Sequence, residues 1–356
     1  MNTMQQNQQP QTRVRCAGIP GLLLACLLVL PVLNGCFLFQ RNQTISSTSA
    51  ESSSQPKKGS DQGESIQLKA AESAASAGDY DTALQLFRNL LAENPTLTTA
   101  YIGIGEIHLE QGDFAQAEPA FERASKLEPE NFQAQFGYGR VLQMLERYDE
   151  AVKAYHRALT IEPDNLEANT NMAITYLDMS EPGRAIAFAS KAVQLDRADV
   201  RARLNLGAAY EGVGRISDAI KQYETAMELE PEPSPGLMLN LINAYSTERR
   251  YQEAVNAANI LVKVEPSANA YERLGWGYFR LGDYDRSIIA YREAVLIDPE
   301  HWPSLNGIGV NALNTWFKSN KEDLLAKEEA RQAFRQSLKV NPEQPKVLEL
   351  ITTYRL

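Results

Sequence analysis

A chain of 356 residues that is 44% hydrophobic and 22% charged has the composition of a folded body rather than of a disordered or fibrous one. Its 45 acidic and 35 basic side chains leave a formal charge of −10, which argues against capturing nucleic acid or anionic lipid by charge alone. The three cysteines, Cys16, Cys26 and Cys36, all lie in or beside one N-terminal apolar run. The rest of the chain therefore has no disulfide framework, thiolate metal site or cysteine nucleophile.

Residues 1–15 are polar and Gln-rich, with positive charge only at Arg13 and Arg15, and Cys16 to Phe39 carries no charge at all. A basic start, an apolar middle and a small-residue end make an export signal. The end, Leu33-Asn34-Gly35-Cys36, resembles a bacterial lipobox. That resemblance implies a signal peptide over 1–35, cleavage after Gly35, a diacylglyceryl group on the Cys36 thiol and often acylation of the new amine. Two or three such chains make a stable anchor. The alternative is an uncleaved transmembrane anchor, because 24 uncharged residues can span a bilayer. Residues 36–63 turn to Ser, Gln, Thr, Lys and Gly without apolar periodicity. They are expected to be a disordered tether, with a reach of roughly 25–30 Å.

Beyond the tether the chain repeats itself. A small residue recurs every 34 residues at Ala83, Ala117, Ala151, Ala185 and Ala219, then at Ala254, Ser287 and Ala330. Twelve residues after each stands a proline (Pro95, Pro129, Pro163, Pro231, Pro266, Pro299, Pro342), except at Arg197. Four residues after each stands Phe87, Phe121, Tyr155, Ala189, Tyr223, Ala258, Tyr291 or Phe334. Before it come Ile104-Gly105, Tyr138-Gly139, Met172-Ala173, Leu206-Gly207, Leu241 and Leu274-Gly275. The clearest copy runs from Tyr271 to Pro299, two short amphipathic helices around a tight turn at Gly282-Asp283. A pair like this cannot bury its apolar face alone and needs neighbours of its own kind.

The pattern resembles the tetratricopeptide repeat, a helix–turn–helix unit with this order of Leu-Gly, Tyr, Ala, Phe and Pro. The resemblance implies an all-α, right-handed solenoid of about eight units over 64–344, closed by a capping helix over 345–356. The units are placed at about 64–97, 98–131, 132–165, 166–199, 200–233, 235–268, 268–301 and 302–344. In the fourth, Arg197 and Ala189 replace the proline and the second-helix aromatic, so looser packing is expected there. The eighth carries about nine extra residues around Trp316–Leu325. In the cap, Val347, Leu348, Ile351 and Tyr354 fall on one helical face.

Catalytic and metal-binding patterns do not emerge. His108 sits where other units carry tyrosine, and no two of the three histidines stand at metal-ligand spacing. No nucleophile elbow or P-loop occurs. The glycine doublets Gly103/Gly105, Gly137/Gly139 and Gly307/Gly309 recur at fixed repeat positions without preceding strands, so close helix packing accounts for them. The chain is read as not an enzyme and as needing no cofactor and no metal. A hydrolase or transferase hidden in the eighth unit would have to be built from His301, Trp302 and the acidic insert, a combination with no recognisable mechanism.

What remains is the face of the first helices, which in this family lines a concave groove and usually holds the ligand. Asn171, Asn205 and Asn240 form a ladder at repeat spacing, with Asn243 one turn further on. An amide that donates to a peptide carbonyl and accepts from a peptide N–H could track an extended backbone without reading its sequence. The same amides could instead bond within or between helices. Arg273 takes the ladder position in unit seven, with Trp276 and Phe279 as apolar anchors. Units two and three present Ile102, Phe132, Phe136 and Arg140. Leu204, Ala208 and Asn269 stand where the family's two-carboxylate clamp places other groups, so that ligand is not expected. These features predict a membrane-tethered scaffold or adaptor that binds proteins or extended peptides in its groove. It would be a lipoprotein of the outer membrane facing the periplasm, serving pilus, secretion or wall-remodelling assembly. A binding protein for a solute or signalling peptide in the same groove is the alternative.

Overall fold

The computed structural model describes residues 60–356; the expectations for 1–35, Cys36 and most of the tether lie outside them. Seventeen helices follow one another, and among the described residues there is no strand. They form eight antiparallel pairs: α1 (Ser60–Ser76) with α2 (Tyr80–Glu93), α3 (Thr98–Glu110) with α4 (Phe114–Leu127), α5 (Phe132–Met144) with α6 (Tyr148–Ile161), and α7 (Leu166–Asp178) with α8 (Pro182–Leu195). Next come α9 (Val200–Gly212) with α10 (Ile216–Leu229), α11 (Pro235–Thr247) with α12 (Tyr251–Val264), α13 (Ala268–Leu281) with α14 (Tyr284–Ile297), and α15 (Trp302–Lys318) with α16 (Leu324–Val340). The single helix α17 (Pro345–Tyr354) ends the array. Helix α1 starts at Ser60, inside the stretch expected to be tether.

Short polar residues start the helices. Asp79, Asp113, Asn131, Asn165, Asp199, Ser234, Ser267, Asp283 and Asp323 each accept a hydrogen bond from a first-turn backbone N–H, which satisfies donors the helix cannot satisfy itself. The recurrent small residue is fully buried in every unit, which lets the two helix backbones approach. In unit seven it is Ser287, whose hydroxyl donates to the Gly275 carbonyl at 2.8 Å and accepts from Asn311 at 3.1 Å. The buried hydroxyl is thereby satisfied on both sides.

The second-helix aromatics explain the glycine doublets. Phe121 is wedged between Gly105 of its own unit and Gly137 of the next; a Cβ there would come within 2.6 and 2.1 Å of the ring. Tyr291 lies in the same way between Gly275 and Gly307. Each ring joins two units, and a glycine on either side leaves room for it.

Units four and six have no ring at this position, and the looser packing expected of unit four is overturned. With the fully buried Ala189 and Ala258 in its place, α8 packs on α9, and α12 on α13, about as extensively as each packs on its own partner. The neighbouring first helix has moved in to fill the space of the missing ring. A Cβ on Gly212 would fall 2.6 Å from Pro182, and one on Gly277 would fall 2.6 Å from Val255. Small residues have tightened these joints, not loosened them.

The extra residues of unit eight lengthen both helices to 17 residues and widen the turn between them. The cap differs from expectation at one residue. Val347 is buried and Ile351 and Tyr354 pack on the eighth unit, but Leu348 is half exposed and Leu350 packs in its stead. Tyr354 sets its ring edge-on to Phe317, with centroids 4.9 Å apart, and this contact fixes which face of α17 turns inward.

Candidate binding groove

Along the array, first helices touch first helices: α3 meets α5, α5 meets α7, α7 meets α9, α9 meets α11 and α13 meets α15. No comparable contact joins successive second helices among the described residues. The first helices therefore form the inner, crowded layer, and their unpacked faces line the groove.

Asn171, Asn205 and Asn240 are half-buried on α7, α9 and α11, and Asn243 is exposed one turn beyond Asn240. Three other helical asparagines bond to backbone: Asn169 donates to the Pro163 and Asn165 carbonyls, Asn259 to Val255 and Asn311 to Gly307. The amides of Asn205, Asn240 and Asn243 make no such bond among the described residues, and none of them is a buried orphan. Asn171 stands beside the Tyr155 hydroxyl, which donates to Gln143 Oε1 at 2.8 Å. Units four to six thus hold amides at the groove wall with hydrogen-bonding capacity to spare.

Helix α13 changes the chemistry. At 100° per residue, Asn269, Glu272, Arg273, Trp276, Phe279 and Arg280 share one face, while Ala270, Leu274, Gly275 and Gly277 are buried on the other. Arg273 is exposed and 3.6 Å from Glu272. Burial pushes the Glu272 carboxyl above its usual range, against the pull of Arg273. Trp276 is half-buried, its indole edge-on to Tyr251 at 5.9 Å.

Two residues expected on the groove surface are not there. Phe132 and Phe136 are buried, stacked at 5.3 Å, and Phe136 lies 5.8 Å from Tyr155. A ring at this position gains more by lying flat on its neighbours than by facing water. Arg140 is turned to Glu106 on α3, 3.1 Å away, and so ties two first helices together.

His108 is half-buried with an unpartnered Nδ1. His301 bridges units seven and eight, its Nδ1 2.8 Å from the Ser304 hydroxyl and its Nε2 2.9 Å from Asn269 Oδ1. Among the described residues no group of three metal-ligating side chains exists, and no helix is long and apolar enough to cross a membrane. Two clefts of about 380 and 330 Å³ lie at the α13–α14 and α5–α6 turns, away from the asparagine row.

An array of helix pairs whose first helices touch in succession is a helical solenoid. The chain belongs to the tetratricopeptide-repeat family: models of that repeat match 74–119, 102–165, 170–234 and 268–301, together more than half of it. Proteins of this family mediate protein–protein interactions and are typically not enzymes. Among curated relatives, the chain is 31% identical over 91 residues to Heat shock protein STI1 of Saccharomyces cerevisiae. It is 31% identical over 118 residues to Small glutamine-rich tetratricopeptide repeat-containing protein 2 of Mycosarcoma maydis. These matches take in 25% and 32% of this chain but only 15% and 33% of the relatives. Among solved structures, the C-terminal part of a tetratricopeptide-repeat protein from Cytophaga hutchinsonii matches 67% of this chain and 98% of its own, with TM-score 0.57 and 17% identity. The pilF protein of Pseudomonas aeruginosa matches 59% of this chain and 95% of its own, with TM-score 0.52 and 18% identity. At such identities the likeness is one of fold.

Proposed function

We propose that the protein is a membrane-tethered scaffold whose groove holds an extended segment of a partner protein, along the row Asn171, Asn205, Asn240 and Asn243 and onto Arg273 and Trp276. The observation that carries this reading is the row of amides on the first helices of units four to six, of which Asn205, Asn240 and Asn243 make no internal hydrogen bond among the described residues. Amides reach peptide carbonyl and N–H groups alike, so the groove grips backbone and leaves sequence preference to α13. An enclosed solute site draws no support from the two clefts, which are open and lie at turns. The tether places the array at a membrane through a lipid on Cys36, at the periplasmic face of the outer membrane, where assembly of an envelope complex needs a fixed adaptor. Catalysis forms no part of this reading.

Affinity capture from envelope extracts with the full chain tests it, comparing wild type with the Asn171/Asn205/Asn240→Ala variant. The variant should lose partners while its thermal melt stays in place; an unchanged partner set would refute the role of the row. Palmitate incorporation should vanish in Cys36→Ser, and persistent labelling would refute the lipid anchor.

A further inference from the structure

The guanidiniums stacked on tyrosines of the array are of two kinds. Arg184, Arg215, Arg250 and Arg286 lie 4.2–4.7 Å from the ring centroids of Tyr176, Tyr210, Tyr245 and Tyr278. Each also has a carboxylate of its own turn: Glu181, Asp218, Glu253 or Asp283. Arg280 differs. Its guanidinium lies 4.7 Å from the Tyr251 centroid and 5.5 Å from that of Trp276, and it donates to the Tyr251 hydroxyl. Yet no carboxylate among the described residues pairs with it, in a chain where acids outnumber bases 45 to 35. Lys318 also lacks an ion pair, but it shares its cleft with Asp283 and Asp285, which offset its field. Among the described residues, Arg280 is the stacked guanidinium without a carboxylate partner.

Two flat rings fix the guanidinium plane, and one of its donors is spent on Tyr251. The remaining donors suit the bidentate geometry of a carboxylate. One helical turn back on the same face stands Trp276, with Phe279 beside it. One turn is about 5.4 Å, close to two residues of extended chain.

We infer that Arg280, set on the Tyr251–Trp276 pair, receives a carboxylate of the bound segment, with an aliphatic or aromatic residue about two positions away resting on Trp276. This rests on the groove reading above and names the chemistry of the partner at its unit-seven end. The carboxylate is that of an Asp or Glu side chain or of a chain terminus.

The full chain is panned against random 12-residue peptides with amidated C-termini and, in parallel, with free ones. Acid enrichment two positions from a large apolar residue in the amidated set identifies a side chain; enrichment confined to the free set identifies the terminus. Arg280→Gln should erase either preference and weaken the selected peptides about tenfold or more. Arg280→Lys should restore only part of it, because a lysine neither stacks as a plane nor forks. The asparagine variant should weaken all peptides and leave the acid preference intact. A wild-type pool without acid preference, or a preference that survives Arg280→Gln, overturns this inference and leaves the groove standing. A wild type that binds no peptide overturns both.

Discussion

Gly137→Ala and Gly236→Ala are the same chemical change at two helical glycines, and they should move stability in opposite directions. At Gly137 the new methyl would sit 2.1 Å from the Phe121 ring, and the ring cannot retreat because Gly105 lies against its other face, where a Cβ would come within 2.6 Å. Overpacking of this kind costs about 1–3 kcal/mol, and the gain in helix propensity returns at most about 1 kcal/mol. With the ring gripped on both sides the cost belongs at the upper end, so a net loss of about 2 kcal/mol is expected. At Gly236 nothing lies within 4 Å of the new methyl. The change there should add about 0.4–1 kcal/mol by narrowing the unfolded ensemble. Urea unfolding followed by helical circular dichroism gives the signs. Hydrogen exchange gives the place: protection should fall in α4, α5 and their neighbours and persist in α13–α16, since a repeat array responds locally. A Gly137→Ala protein as stable as wild type, or a loss spread evenly from α1 to α17, would refute the wedged-ring account.

Ala189→Tyr gives unit four the aromatic most units carry, yet it should destabilise by about 2 kcal/mol or more, because α9 already occupies that space. A stabilised variant in the same urea titration would restore the looser-packing expectation. Ser287→Ala likewise introduces the commoner residue but should cost about 1 kcal/mol, since the Gly275 carbonyl and the Asn311 amide lose a shared partner; a neutral result would deny that bond any weight. For Glu272 the folded state holds the proton more tightly than the unfolded chain does. Its contribution is therefore present below the ordinary value of 4.5 and is lost as pH rises past it. Glu272→Gln should melt with wild type near pH 4 and above it at pH 7, and the reverse order would contradict the burial of this carboxyl.

The solenoid was legible because packing positions recur. A small residue, a ring four further on and a proline twelve further on are requirements of one helix pair, repeated until the pattern exceeds coincidence. What stayed hidden depends on neighbours. Ala189 reads as a hole from within its own unit, and only the approach of Gly212 to Pro182 shows that the hole was closed from next door. Phe132 and Phe136 occupy groove positions, but the nearness of Tyr155 turns them inward. Arg280 meets Tyr251 across 29 residues and a unit boundary, a contact no spacing rule announces. The asparagine row could be seen in the sequence, whereas the absence of internal bonds at Asn205, Asn240 and Asn243 needed coordinates.

The ring between successive units has a geometric consequence. Six second helices carry an aromatic at this joint and two, at Ala189 and Ala258, carry a methyl. The ring is a spacer whose thickness sets how far, and at what tilt, one helix pair stands from the next. Exchanging it for alanine re-aims every unit beyond that joint as a body, without touching a groove residue. A lineage of such proteins can therefore vary the curvature offered to a partner and the chemistry offered to it through separate positions, one substitution at a time.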